Sequence, residues 1–580
     1  MPIGNITNNV RMVASATIPR NLSAENLRRT AENLVRRDSM DESEAQRARE
    51  DAQMAQGMAA VALSSNPISP RMQNVQQEEP ARMSALEAMK MLKQISAGLY
   101  TAENFNTSGL STKLGAALFS PSLFIRKKAL EILDDIYSNK PEEFNDSDLK
   151  DKLGAALVDK NQHDYIRQEA LKTLGNIYCG YPEKFNNSGL STKLGAALFS
   201  PNLATRKKAL ETLDRIYNNR PKEFNNSGLS TKLGAVLDKF QPDNIRQEAL
   251  KTLGDIYYCQ PQEFNKQTYL KDKLGTALFS PNPDTRKKVL ETLGRIYKGH
   301  PQEFQASDLR DKLGDALFDN NPNIRKSALI ALGDIYSNKP KEFNDSDLKD
   351  KLGVALIDTE QIIRECALRT LQNIYNGHPK EFNDSDLKYK LGVALIDTEQ
   401  IIRECALRTL QNIYNGHPKE FKASGLKYKL GAALDRTQPD IIRQKALKTL
   451  GGIYNNQPQE FNKQTYLKDK LVAALDCDDL TGDETQHKNV RIEALKTLGD
   501  IYNNQPQEFQ TSGLSDKLGD ALFSDNPDIR KNALSVLYVI YGSQADEARI
   551  HLYNDTFQRK YGKSLYFKLQ ESRARKMYKS

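Results

Sequence analysis

With 580 residues, 38% hydrophobic content and a mean hydropathy of -0.65, the chain has the composition of a soluble protein with room for several average domains. No apolar run approaches the roughly 20 residues that span a bilayer, and the start, MPIGNITNNVRMVASATIPR, lacks the apolar core and cleavage site of a secretory signal. Five cysteines without a CxxC pair predict a reducing, cytoplasmic-type compartment, and six His with no Trp leave little for metal or cofactor chemistry, so no cofactor is expected.

The net charge of +8 is unevenly placed. Residues 1–80 carry 9 Arg against 10 acids and residues 545–580 carry 9 basic groups against 4 acids, leaving 65 basic and 61 acidic groups over residues 81–544. A module that follows a phosphate backbone needs a concentrated basic face. The bulk of the chain is nearly neutral, so nucleic acid is not the expected partner.

The first 89 residues contain no Lys and the first 99 no aromatic side chain. Such a segment buries too little surface to offset its ordering entropy, so residues 1–80 read as disordered. Within them Leu22, Leu27, Leu34 and Val35 fall on one helical face behind a Ser23 cap. Residues 85–95 (ALEAMKMLKQI) then echo the second half of a repeat and predict an N-terminal cap.

From residue 81 to 544 the chain repeats the pattern I/T/V-R-x-x-A-L-x-x-L-x-x-I-Y. Its arginine stands at Arg126, Arg167, Arg206, Arg246, Arg286, Arg325, Arg364, Arg403, Arg443, Arg491 and Arg530, mostly 39 to 41 residues apart. Each unit reads as two helices. The first is typified by SDLKDKLGAALV, with Ser147 as N-cap and Leu149, Leu153, Ala156 and Leu157 on one face. The second is typified by IRKKALEILDDIY, with Ile125, Ala129, Leu130, Leu133, Ile136 and Tyr137 as its stripe. Between units Pro141 stops the helix and Phe144 is expected to plug the gap between layers. Two short amphipathic helices hold no core alone, so the units must stack.

These units resemble the HEAT and armadillo helical repeats, closest to the short HEAT form. NPDIRKNALSVLYVIY at 526–541 and NPNIRKSALIALGDIY at 321–336 carry that family's inter-helix Pro and the arginine opening its second helix. The resemblance implies an all-α, right-handed alpha-alpha superhelix, a solenoid of about eleven two-helix repeats over 81–544. Residues 545–580 would form a C-terminal cap helix and basic tail. HEAT units usually place an Asp shortly before the arginine. Asp284 and Asp528 fit, whereas Leu123 and Leu203 do not, so an Asp–Arg ladder along the whole array is not expected.

Residues recurring at one position form rows about 8 to 10 Å apart. A glycine row from Gly115 to Gly519 sits inside the first helix and predicts close helix approach. Second-helix tyrosines such as Tyr178 and Tyr336 read as core packing with the hydroxyl at the rim, because bases stacked about 3.4 Å apart cannot follow so wide a row. Lysines before each Leu-Gly, such as Lys113 and Lys517, are set against glutamates before the linker Phe, such as Glu143 and Glu508, and read as a solvated face.

In the first five units the pairs Lys128/Glu131, Glu169/Lys172, Lys208/Glu211, Glu248/Lys251 and Lys288/Glu291 invert sign from unit to unit, which sets register by charge. Thereafter Arg369, Arg408, Lys448 and Lys496 form a stripe of one sign, the candidate dock for an acidic partner segment.

No catalytic signature is present: HExxH, P-loop, nucleophile elbow and dinucleotide fingerprint are all missing, and DCDDLTGDETQHKN at 476–489 fails the spacing of a calcium loop. Residues 341–382 and 380–421 differ only at Asp350 and Tyr389, a recent duplication that a site assembled across units would not tolerate. The expected function is a non-enzymatic scaffold binding proteins on the inner face, with no small-molecule substrate. A second reading rests on the Lys-free start, which resembles the leaders of bacterial effectors delivered into a host cytosol. A third, a HEAT-like DNA glycosylase, finds no residue-by-residue match. Membrane contact is expected at most from the basic tail, Arg559 to Lys579.

Overall fold

The structure, a computed structural model, describes residues 85–98, 100–476 and 484–561. The amphipathic stretch at Leu22 to Val35, the rest of residues 1–80, the centre of the acidic insertion and the tail after Tyr561 lie outside them. All regular structure among the described residues is helical, and it divides into two compact units, Met1–Tyr217 and Asn218–Ser580. Within each unit successive repeats pack on one another, three in the first and eight in the second, so each is an α-solenoid. The half-repeat at Ala85–Ala97 packs on the second helix Leu123–Tyr137, and the cap Ala545–Tyr561 packs on Ser515–Leu522 and Pro527–Tyr541.

Each repeat contains the two expected helices and a third, short one. In the repeat of Arg364 these are Pro340–Asn344, Leu348–Ala355 and Gln361–Tyr375. The linker proline is not what ends the preceding helix, which already stops at Tyr137 ahead of Asn139 with its positive φ; Pro141 begins the next helix instead. Its fixed φ suits a first helical turn, and the N–H it lacks would be unbonded there anyway. Ser147 is not the N-cap it was expected to be. Asp148 holds that place, and the Ser147 hydroxyl donates to the Phe144 carbonyl at 2.7 Å, one of the carbonyls orphaned where the short helix ends.

The apolar stripes are buried as their spacing predicts: Leu149, Leu153, Ala156 and Leu157 on the first helix, Ile125, Ala129, Leu130, Leu133 and Ile136 on the second. Phe144 and its counterparts are fully buried plugs. They alternate with the tyrosines in columns of edge-to-face rings, as in Tyr375, Phe382, Tyr414 and Phe421, with centroids 5.2 to 6.0 Å apart. Such contacts add about 0.5–1.5 kcal/mol each beyond the area they bury.

The tyrosine hydroxyls are not at the rim. They are buried, and most donate to an asparagine at the end of the short helix of the same repeat, Tyr178 to Asn145 at 2.5 Å and Tyr414 to Asn383 at 2.6 Å, whereas Tyr336, whose short helix ends in Gln305, donates to Ser346 at 3.4 Å. The asparagine's amide in turn donates to a short-helix carbonyl of the next repeat, Asn383 to Glu420 at 2.9 Å. A third seam runs through buried threonines, Thr370 donating to the Leu329 carbonyl and Thr409 to Leu368 at 2.8 and 3.3 Å, each bridging to the preceding repeat. Glycines close the layers: a Cβ on Gly115 would stand 3.1 Å from Lys152 Cγ, and one on Gly392 3.2 Å from Leu426 Cδ2, both in the following repeat.

Candidate partner-binding face

The exposed surface of the second helices is built from the positions left over after the stripe is buried. In the first five repeats the sign-inverting pairs all form, Lys128–Glu131 at 2.5 Å, Lys172–Glu169 at 3.8 Å, Lys208–Glu211 at 2.6 Å, Lys251–Glu248 at 3.5 Å and Lys288–Glu291 at 2.6 Å. Their charges are thereby satisfied within each helix, at a gain of about 0–1 kcal/mol apiece.

In the later repeats of the second unit, Arg369, Arg408, Lys448 and Lys496 are all exposed on corresponding turns. Arg369 pairs with Glu365 at 2.6 Å and Lys496 with Glu493 at 3.4 Å. Arg408 and Lys448, in adjacent repeats between them, have no ion pair among the described residues. Beside this stripe the thiols of Cys366 and Cys405 are buried. Burial pushes the Cys366 thiol up to about 11 and raises Cys405 too, so both are poor nucleophiles.

The row arginines point into the loops between helices. Arg286, Arg325 and Arg364 reach Asp319, Asp358 and Asp397 of the following repeat at 3.3, 3.1 and 3.1 Å. The carbonyls of those aspartates accept from Arg325, Arg364 and Arg403 at 3.0, 2.9 and 2.6 Å, so each Asp joins two consecutive arginines. Elsewhere the acid lies on the arginine's own helix, as in Arg167–Asp164, Arg246–Asp243 and Arg443–Asp440. Arg126 donates to Gln162, while Arg206 and Arg530 bond loop carbonyls at Ser200 and Ser524. Arg491 is half-buried. The ladder is therefore local, spanning Arg286 to Arg403.

The lysines before Leu-Gly do not take the linker glutamates as their partners. Lys273 and Lys470 pair with Asp238 and Asp435, and Lys517 with Asp476 at 2.7 Å, each acid lying just past the end of the first helix of the preceding repeat. The linker glutamates bond neighbours on the short helices instead, Glu263 with Lys266 at 2.7 Å and Glu303 with Gln262 at 3.0 Å. Sequence reading paired the two rows because both recur. The aspartate that wins is present in only some repeats and so forms no row.

Among the described residues no cluster of three or more His, Cys, Asp or Glu is arranged to hold a metal, and no helix is long and apolar enough to cross a membrane.

Residues 244–388 match the family model described as sister chromatid cohesion protein PDS5. No curated protein matches the chain in sequence. Among solved structures, the chain is similar to Kap121p with a TM-score of 0.57 and 14% identity over 92% of this chain and 55% of that one. The karyopherin Kap121p bound to the extreme C-terminus of the protein phosphatase Cdc14p gives 0.51 and 14% over 85% and 56%, and Kap121p bound to Pho4p gives 0.50 and 14% over 83% and 56%. The chain thus spans little more than half the length of those structures, and at this identity the likeness is one of fold. With the repeat sequence and the stacked helices, it makes the chain a HEAT/armadillo-like helical-repeat protein.

Proposed function

We propose that the chain is a non-catalytic scaffold that binds partner proteins, and that an acidic segment of the partner docks along Arg369, Arg408, Lys448 and Lys496. The observation that carries this reading is the pair Arg408 and Lys448, exposed in adjacent repeats and forming no ion pair among the described residues, although Lys448 lies near enough to Asp500 to favour its charged form. Two cations about 10 Å apart cost each other only about 0.4 kcal/mol in water. They are cheap to hold apart and free to meet carboxylates. Support also comes from solved structures of the same fold, in which Kap121p is bound to the extreme C-terminus of Cdc14p and to Pho4p.

The test is capture of partners by the full chain beside a chain carrying Arg369→Glu, Arg408→Glu and Lys448→Glu, compared quantitatively. Selective loss of partners with acidic segments is expected. An identical set captured by both chains would remove the stripe from the proposal.

A further inference from the structure

A second surface lies on the first helices of the second unit. The residue that follows the last buried Leu of each first-helix stretch is Asp238, then Phe279, Phe318, Ile357 and Ile396, then Asp435. The four apolar side chains are 64%, 51%, 47% and 52% exposed. Exposed Ile362 and Ile401, at the starts of the second helices, lie close behind Ile357 and Ile396 in sequence. Scattered exposed apolar residues are ordinary, but an unbroken row of them over four consecutive repeats is not.

The lysines explain what the row is for. Where it holds Asp238 or Asp435, the lysine of the next repeat, Lys273 or Lys470, is tied to it. Where it holds Phe or Ile, that partner is gone. Lys312 and Lys351 reach only Asp308 and Asp315, at 3.9 and 3.8 Å, and Lys390 and Lys429 have no ion pair among the described residues. Lys351 Nζ lies 5.9 Å from the centre of the exposed Phe318 ring. One substitution pattern thus bares an apolar row and frees the cations alongside it, and an Asp–Lys pair closes each end.

The geometry points to a docking groove for an acidic amphipathic helix of another protein, its apolar side chains on Phe279 to Ile396 and its carboxylates on Lys312 to Lys429. Rungs about 10 Å apart match apolar residues every seven positions on a helix, which rises about 1.5 Å per residue. Four rungs correspond to about 20 residues. The inference rests on the scaffold reading above but uses a different face from the Arg408 stripe.

The test uses the full chain and a synthetic peptide of about 20 residues, with Leu at the first and fourth positions of each heptad and Glu at the flanks, followed by fluorescence anisotropy. A counterpart with Lys for Glu is the control. The acidic peptide should bind, more weakly as salt rises, and the basic one should not. The double variant Ile357→Asp, Ile396→Asp should bind at least about tenfold less well. Its folding is expected to survive, because neighbouring repeats carry Asp at this position, and circular dichroism checks it. No binding at on the order of 100 μM, equal binding of the basic peptide, or unchanged affinity in the double variant would overturn the inference. If Arg369→Glu, Arg408→Glu and Lys448→Glu abolished binding while the double variant did not, this groove would be rejected and the scaffold reading would stand.

Discussion

Lys422 occupies the short-helix position held by Asn344 and Asn383 in the two preceding repeats, and the Tyr454 hydroxyl that this position should receive is buried without a hydrogen-bond partner. The equivalent Tyr375 and Tyr414 both bond their asparagines. A buried polar group left unpaired costs about 1–3 kcal/mol. Lys422→Asn is therefore expected to stabilise this repeat by about 1 kcal/mol, seen as slower hydrogen exchange in Asp440–Ile453. Unchanged protection there would show that the hydroxyl is already satisfied by water.

The same ladder predicts an asymmetry at an intact rung. Asn383→Ala strips Tyr414 of its acceptor and Glu420 of its donor, and should cost about 1–3 kcal/mol. Tyr414→Phe removes only the hydroxyl and should cost about 0.5–1.5 kcal/mol. Because the two residues share one bond, the double variant should be less destabilised than the sum of the singles. Strict additivity in denaturant midpoints would mean that the bond contributes nothing.

How far the sequence reveals this depends on what repeats. Period and apolar spacing were enough for the helices, the buried stripes and the plug at Phe144, because burial imposes the same residue type in every copy. The Asn145–Tyr178 rung was missed although asparagine recurs, since an Asn after Phe reads equally well as a turn residue. The Thr370 seam was missed because a threonine inside an apolar stripe looks like a tolerated β-branched residue. The Phe279 to Ile396 row was invisible for the opposite reason. An apolar residue directly after the buried Leu reads as a continuation of the buried stripe, and only its exposure, which the spacing of residues does not encode, sets it apart.

Each second helix is followed by a residue with positive φ, and in most repeats its N–H bonds a carbonyl of the next repeat's second helix, as Asn338 does to Asn373 and Gly377 to Asn412 at 3.0 and 3.1 Å. Asparagine and glycine hold this place except at Cys259, where φ is +52. A side chain other than Gly, Asn or Asp pays about 1–2 kcal/mol in the left-handed region. Cys259→Asn keeps the bond to the Arg295 carbonyl at 3.1 Å and should raise stability by about 0.5–1 kcal/mol. A fall in the unfolding midpoint would mean that the thiol's packing outweighs the backbone strain.

Burial raises the phenols of the tyrosine columns above their ordinary value. Tyr137 is pushed up to about 12, and Tyr178, Tyr257, Tyr297, Tyr375, Tyr414, Tyr454 and Tyr502 are raised by the same cause. The folded chain therefore holds phenolic protons that the unfolded chain releases near pH 10. Above that pH the unfolded state binds fewer protons, so stability falls as pH rises. Below pH 10 the contribution is complete, and for Tyr137 it is lost between about 10 and 12. Many such groups titrate together, so tyrosinate absorbance and loss of helical circular dichroism should rise in one steep, shared step above pH 10. A gradual tyrosinate titration centred near pH 10, with the helices intact, would contradict the burial of the hydroxyls and with it the Asn–Tyr ladder that joins the repeats.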